Sequence, residues 1–419
     1  MKNLALHWKI LIGMALGVVF GLIMANFDFG KDFISDWIKP FGTIFINSLK
    51  LIAIPLILAS LIKGISDLKD ITKLSKMGGA TIAIYMITTL IAVSIGLIVV
   101  NVIKPGGSIS DETRIELINA YESDADQKRA VAEDTKNSGP LQALIDVVPS
   151  NIVSAASDNK NMLQVIFFSI LFGIAMILIP EKKSRPIKDF FDSFNDVILK
   201  IIDLIMLFAP YGVFALLATL IVEAPKWDLL KSLLLYSLTL ILGLAILIVL
   251  YLIIVKIFTG KSPNYFLKGI LPAQLVAFST SSSAATLPVT MDRVHNHLGV
   301  KEEVSSFVLP IGATINMDGT ALYQAIAAVF IAQTFGLDLS LGAQLGIILT
   351  ATLASIGAAA VPSAGIIVLV IVLSQAGIPE AGLALIFAVD RPLDMCRTVV
   401  NISGDATVSM LVNKLIKKK

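Results

Sequence analysis

Apolar residues fall into ten long runs, at 8–26, 40–62, 80–103, 162–180, 190–221, 229–258, 265–291, 304–334, 341–375 and 380–413. A bilayer-crossing helix needs ~20 such residues, so the pattern predicts an all-α polytopic membrane protein. The connections at 63–79 (Lys63, Lys69, Lys73, Lys76), 181–188 (Lys182, Lys183, Arg185, Lys188) and 256–268 (Lys256, Lys261, Lys268) are rich in basic residues. So is the tail, with Lys414, Lys417, Lys418 and Lys419. The positive-inside rule places all four on the cytoplasmic side. The polar stretch from about 106 to 160 is acidic on balance (Asp111, Glu112, Glu116, Glu122, Asp124, Asp126, Glu133, Asp134) and is expected outside. Both assignments hold together if two of the ten runs do not cross. Eight transmembrane helices with both termini cytoplasmic satisfy them, and 265–291 and 341–375 become re-entrant helical hairpins. The first run, Ile10 to Ala25, is long for a signal-peptide core and reads as an uncleaved span. Trp8, Trp37 and Trp227 fall at predicted span ends, as interfacial anchors do.

The two hairpin segments echo each other. The first carries Ser279-Thr280-Ser281-Ser282-Ser283-Ala284-Ala285-Thr286-Leu287-Pro288, the second Ser355-Ile356-Gly357-Ala358-Ala359-Ala360-Val361-Pro362-Ser363-Ala364-Gly365. Breaks rich in small residues and proline leave backbone groups that lipid cannot satisfy, so protein or a water-filled cavity must. Paired interruptions of this kind point to inverted repeats around a site near the membrane midplane. Close helix packing through small residues is the competing explanation.

Composition agrees with the span pattern and narrows the chemistry. The 419 residues are 56% hydrophobic and only 15% charged, with mean hydropathy +0.85. A soluble domain is nearer 25% charged. The net charge of +2 and the absence of a clustered basic-aromatic stretch leave no case for nucleic acid. The single cysteine, Cys396, excludes an intramolecular disulfide and a multi-cysteine metal site. His7, His295 and His297 lie at the amino terminus or in a short polar connection, where solvation explains them better than a metal does.

Against that background the last run is anomalous. Asp390, Asp394, Arg397, Asn401 and Asp405 follow one another at spacings of four, three, four and four. At ~100° per residue they share roughly an 80° arc of one helix. A charge at mid-bilayer costs on the order of 3 kcal/mol, so this stripe must face protein, water or ligand. Arg397 offers a planar fork suited to a carboxylate, and Asp394 an acceptor for an ammonium group. Together they fit an acidic amino acid. They are also three residues apart and suit a pair with each other, and sequence leaves both open.

A second anomaly lies in the run at 304–334. Asn316-Met317-Asp318-Gly319-Thr320 is a poor helix interior and predicts a break that frees carbonyl oxygens beside the Asp318 carboxylate. Carbonyls plus a carboxylate suit a hard cation. Asp318 and Asp405 are therefore candidate sodium carboxylates, with a helix cap or a pair to Arg391 or Arg397 as the alternative for Asp318.

At these residues the chain resembles the glutamate/aspartate transporter family, the dicarboxylate/amino acid:cation symporters. The likeness spans essentially the whole sequence and rests on the serine-rich hairpin, the Asn316–Thr320 break, the Gly357–Gly365 tip and the Asp394/Arg397/Asn401/Asp405 stripe. It implies that Ser281, Ser282 and Ser283, with Asn401, meet the main-chain carboxylate of the substrate. Asp394 would take the amino group with Thr398 nearby, and Arg397 with Thr320 the side-chain carboxylate. The second hairpin, Val361 to Gly365, would close the outer gate. One implied sodium position uses carbonyls of Gly312, Asn316 and Asn401 with the Asp405 carboxylate. A second uses carbonyls of Thr314, Ser355, Ile356 and Ala358 near the Met317 sulfur. A third uses Tyr85, Thr88 and Thr89 with Asn316 and Asp318.

The resemblance further implies sodium ions as co-transported cations, a homotrimer in the plasma (inner) membrane and elevator-type movement. Residues 1–79 and 162–225 would form the scaffold. Residues 80–105 and 226–419 would form the transport domain, and 106–161 the extracellular loop and the start of the fourth helix. The chain departs from the family at several points. It has no arginine at Ser281 or Met395, where relatives carry one, but has Arg391 nearby. Gln324 stands where potassium-coupled relatives have glutamate, which argues against potassium counter-transport. Ala360 replaces a glycine at the second tip, and the acidic stretch at 110–137 is longer than expected. The expected function is sodium-driven uptake of L-aspartate or L-glutamate. A proton-coupled C4-dicarboxylate symporter and an anion channel are the alternatives, and no enzymatic arrangement is expected.

Overall fold

The structure is a computed structural model that describes residues 6–66, 75–110, 114–115, 148–157, 161–223, 227–356 and 364–417. The described residues hold helices and connections with no strand. In chain order the longer helices are α1 (Leu6–Met24), α2 (Lys39–Ser66), α3 (Ser75–Ile103), α4 (Met162–Leu178), α5 (Glu181–Glu223), α6 (Trp227–Thr259), α7 (Pro263–Thr280) and α8 (Ser283–Asp292). They continue with α9 (Glu302–Ile315), α10 (Asp318–Thr334), α11 (Leu341–Ile356), α12 (Ala364–Gln375) and α13 (Leu383–Lys417). Among the described residues five stretches are long and apolar enough to cross a membrane, Gly30–Ser66, Met77–Ser108, Glu181–Thr219, Leu230–Thr259 and Glu302–Thr334. α13 is longer than any bilayer requires but is interrupted by charge, as its sequence foretold. The protein is a polytopic all-α membrane protein.

The two echoing segments each form a helix pair, α7 with α8 and α11 with α12, whose members pack on each other. Each pair is followed by a long helical stretch, α9–α10 after the first and α13 after the second. The first pair turns at Ser281, which adopts a left-handed conformation (φ 52°, ψ 33°), and Ser282 restarts the helix by accepting a bond from the Ala285 N–H. The tip of the second pair, 357–363, lies outside the described residues and takes with it the expected positions of Ala358 and Val361.

One expected connection is a helix instead. The basic segment 181–188 forms the first two turns of α5. Only Ile179 and Pro180 separate it from α4. Pro180 cannot continue α4, yet its carbonyl accepts from the N–H groups of Lys183 and Ser184 and so starts the next helix. Lysine and arginine are good helix formers, so a basic run between spans carries the same composition whether it is loop or helix.

The helices pack in two neighbourhoods. α1, α2, α4 and α5 pack against one another, α5 lying along both α1 and α2. α13 lies among α6, α7, α9 and α10, with α3 packed along α10 and α6. α10 is the most enclosed element: every residue from Asp318 to Ala332 is buried. A helix apolar all round at this depth is surrounded by protein rather than lipid. Trp37, by contrast, is exposed in the π-helical segment Ile34–Ile38 that runs directly into α2.

Candidate functional site

The site begins at the break between α9 and α10. Asn316 is extended (φ −96°, ψ 91°) and Met317 lies outside helical space (φ −117°, ψ 53°). Asn, Asp and Gly compete with the helix ladder through their own polar groups or their flexibility, and here they win. Asp318 thus becomes the first residue of α10, where its carboxylate sits at the positive end of the helix dipole. It is fully buried. Thr89 of α3 donates to one of its oxygens at 2.6 Å and Tyr251 of α6 to the other at 2.5 Å. Among the described residues Arg391 and Arg397 form their ion pairs with Asp390 and Asp394, so Asp318 pairs with neither arginine.

Asp405 of α13 is the second buried carboxylate. The Asn316 amide nitrogen donates to it at 2.8 Å, leaving the Asn316 amide oxygen without a partner. Gly312 packs so closely here that a methyl group would collide with the Asp405 carboxylate and the Tyr85 hydroxyl. Tyr85 donates to the Val308 carbonyl at 3.1 Å and Thr88 to the Tyr85 carbonyl at 3.0 Å, while the Thr89 hydroxyl, its one hydrogen directed to Asp318, lies 2.9 Å from that same carbonyl. Tyr85, Thr88, Thr89, Gly312, Asn316, Asp318 and Asp405 therefore form one buried cluster rich in oxygen. Met317 is buried beside it. When ionised, the two carboxylates can only accept, so the cluster suits a hard, oxygen-seeking cation. Among the described residues no group of three His, Cys, Asp or Glu forms a softer metal site.

α13 and α10 meet at close range. The Asn401 amide oxygen accepts from the Gly319 N–H at 2.8 Å, and its nitrogen donates to the Thr320 hydroxyl at 3.3 Å. A Cβ on Gly319 would stand 2.6 Å from the Arg397 carbonyl oxygen, so only glycine permits this approach.

One turn along, Arg397 is fully buried. Its Nη2 donates to Asp390 at 2.9 Å and to Asp394 at 2.8 Å, while Nε and Nη1 have no partner. The guanidinium carbon lies 3.8 Å from the centroid of the Tyr323 ring. The first turn of α12 approaches from the other side, with a Cβ on Gly365 placed 3.2 Å from Nη1. Arg391 reaches the second oxygen of Asp394 at 3.3 Å. The pairing of Asp394 with Arg397 left open above is thus present, and it belongs to a four-charge network that sums to zero. The Thr398 hydroxyl is held within its own helix by the Asp394 carbonyl at 2.9 Å.

Ser281, Ser282 and Ser283 are buried at the tip of the first hairpin, and the Ser281 hydroxyl has no partner. The set centred on Thr314 is less complete. Thr314 is exposed and bonds the Ile311 carbonyl at 3.0 Å, and the buried Ser355 bonds the Thr352 carbonyl at 2.9 Å.

Sequence reasoning missed Tyr251, Tyr323 and Gly319, and it missed Asp390 as the second partner of Arg397. The tyrosines are lone aromatics in apolar runs, which usually mean packing. The glycine followed an Asn-x-Asp and read only as a helix breaker.

The sequence pattern of the sodium:dicarboxylate symporter family matches residues 6–415. The chain belongs to this family. The proton/sodium-glutamate symport protein of Bacillus caldotenax is 33% identical over 417 residues, covering 99% of this chain and 95% of that protein. Excitatory amino acid transporter 3 of Oryctolagus cuniculus is 37% identical over 458 residues, covering 100% and 87%. The proton/glutamate-aspartate symporter of Escherichia coli (strain K12) is 33% identical over 420 residues, covering 99% and 94%. As a member of the symporter family the protein is a multi-pass membrane transporter and not an enzyme.

Proposed function

We propose that this protein is a secondary active symporter that carries an acidic amino acid, L-aspartate or L-glutamate, into the cell together with sodium ions. The observation that carries this reading is Arg397: wholly buried, it spends one nitrogen on two carboxylates and keeps two nitrogens unpartnered. Burying spare guanidinium donors is costly unless a ligand takes them. A side-chain carboxylate would take Nε and Nη1 as a fork, and an ammonium group would take Asp394 from the arginines that hold it. Ser281, Ser282, Ser283, Thr320, Thr398 and Asn401 supply polar groups for the rest of the substrate, with Val361 to Gly365 closing over it. Relatives named for glutamate and aspartate transport support the substrate class.

The buried carboxylates Asp318 and Asp405, each served by neutral donors, support cation coupling. Sodium suits their oxygen-rich cluster, and ordering the site with cations raises substrate affinity reciprocally. The two packing neighbourhoods support a scaffold of α1, α2, α4 and α5, and the family resemblance carries the expectation of a homotrimer. A transport domain of α3 and α6 to α13 moves against it, elevator-fashion, in the plasma membrane with both termini cytoplasmic.

The test is radiolabelled L-aspartate uptake by purified protein in proteoliposomes, driven by a sodium or a proton gradient and competed by succinate. Sodium-driven uptake resistant to succinate is expected. Uptake driven by protons alone and abolished by succinate would replace this reading with a C4-dicarboxylate carrier. A steady anion conductance without uptake would replace it with a channel.

A further inference from the structure

Tyr251 bonds one of the two buried carboxylates and packs against the backbone of the helix that carries the other. It comes from α6, is 1% exposed, and donates its only hydroxyl hydrogen to Asp318. Thr89 holds the other oxygen from α3, so two helices grip one carboxylate from different directions. The same Tyr251 oxygen lies against Gly404, where a Cβ would come within 2.9 Å of it and within 2.9 Å of the Asn316 amide nitrogen. That amide nitrogen is the donor to Asp405. One phenol therefore bonds the Asp318 carboxylate and packs against Gly404, the residue before Asp405.

We propose that Tyr251 is a positioning residue for the cation at Asp318, fixing the carboxylate that receives the ion and tying it to the Asn316–Asp405 cage. The inference rests on the cation-coupled reading given above. A phenol suits the task because its hydroxyl is carried at the end of a rigid ring with only two side-chain torsions, so its direction is set by packing. A carboxylate held at both oxygens by such donors cannot swing away or turn to a wrong partner, and a cation then meets it already oriented. With its hydrogen committed to Asp318, the phenol oxygen presents lone pairs to the cluster and no competing donor. The small Gly404 is what lets it lodge there.

The experiment is Tyr251→Phe in the full-length protein, which keeps the ring and removes only the hydroxyl. L-Aspartate binding is titrated by calorimetry across a range of sodium concentrations, and Tm is recorded with and without sodium. The half-saturating sodium concentration is expected to rise about five- to tenfold, equivalent to about 1–1.4 kcal/mol. L-Aspartate affinity at saturating sodium should stay within about threefold of wild type, and the sodium-induced rise in Tm should shrink. A merely structural hydroxyl would lower Tm equally in both buffers and leave the sodium dependence alone, and that result overturns the proposal. If Phe impairs folding, Gly404→Ala in the same titration serves instead, since its methyl would press on the hydroxyl while leaving Tyr251 intact. A sodium dependence matching wild type in this variant overturns the proposal too. Binding by the wild type that ignores sodium overturns the cation reading itself, whereas a sodium-dependent wild type matched by Tyr251→Phe overturns only the role of Tyr251.

Discussion

The guanidinium of Arg397 sits over the ring of Tyr323, 3.8 Å from its centroid, inside a region closed to solvent. Desolvated cation–π contacts are worth about 2 kcal/mol or more, comparable to a strong hydrogen bond. The ring therefore does two things: it stabilises the charge, and it sets the plane in which the two unpartnered nitrogens point. Tyr323→Leu is expected to weaken L-aspartate binding about 10- to 30-fold, and Tyr323→Phe by no more than about threefold, because the face of the ring survives. Equal losses in the two variants, measured by calorimetry, would move the effect to the hydroxyl and remove the ring from this role.

Asp390 shares Nη2 of Arg397 with Asp394. Removing its charge leaves Asp394 as the sole carboxylate on that nitrogen and strengthens their bond. An incoming ammonium group must then compete harder for Asp394. Asp390→Asn should lower L-aspartate affinity about tenfold while leaving the sodium dependence of binding unchanged, since neither Asp318 nor Asp405 is touched. Affinity equal to wild type would mean that Asp394 is free of Arg397 when substrate binds.

Much of this arrangement was legible in the sequence. The break at Asn316–Asp318 announced itself because three poor helix formers stood together in an apolar run. The charged stripe at 390–405 did so because nothing but a partner explains carboxylates in a span. Tyr251 and Tyr323 carried no such signal, since an aromatic in an apolar run has the same appearance in any core. Which carboxylate Arg397 would choose was equally hidden: Asp390 and Asp394 lie seven and three residues away on one helix face, and both turned out to bond it. The basic run at 181–188 failed for a different reason, because composition marks the membrane side of a segment and not its backbone conformation.

Asp318 has two hydroxyl donors and no basic partner, so in the absence of a cation it is a buried negative charge. Neutralising it should relieve that cost and at the same time remove the cation's ligand. Asp318→Asn is expected to melt in sodium-free buffer at or above the wild-type temperature, and sodium should no longer raise its Tm. For wild type, sodium at ~100 times its dissociation constant contributes about 2.7 kcal/mol, a shift that scanning calorimetry resolves. A variant that still gains the full sodium-induced shift would place the cation away from Asp318.

Close approach of α10 and α13 is what lets Asn401 strap the first turn of α10, and Gly319 is the residue that permits it. A Cβ there would stand 2.6 Å from the Arg397 carbonyl oxygen and 3.0 Å from the Asn401 amide oxygen. The nearer neighbour is backbone and the Asn401 amide is held by its bonds to Gly319 and Thr320, so the two helices must part by some tenths of an ångström, and the 2.8 Å bond from the Gly319 N–H to Asn401 must lengthen. Overpacking of this kind costs about 1–3 kcal/mol. Gly319→Ala should therefore lower Tm and weaken L-aspartate binding at least tenfold, because the helix carrying Arg397 is the one displaced. Gly346→Ala is the matched control: it lies within α11, a Cβ there meets nothing within 4 Å, and alanine is the better helix former. Its Tm should equal or exceed that of wild type with binding intact. If both alanines behave alike in melting and calorimetry, the α10–α13 contact is looser than its geometry implies and Asn401 does not depend on it.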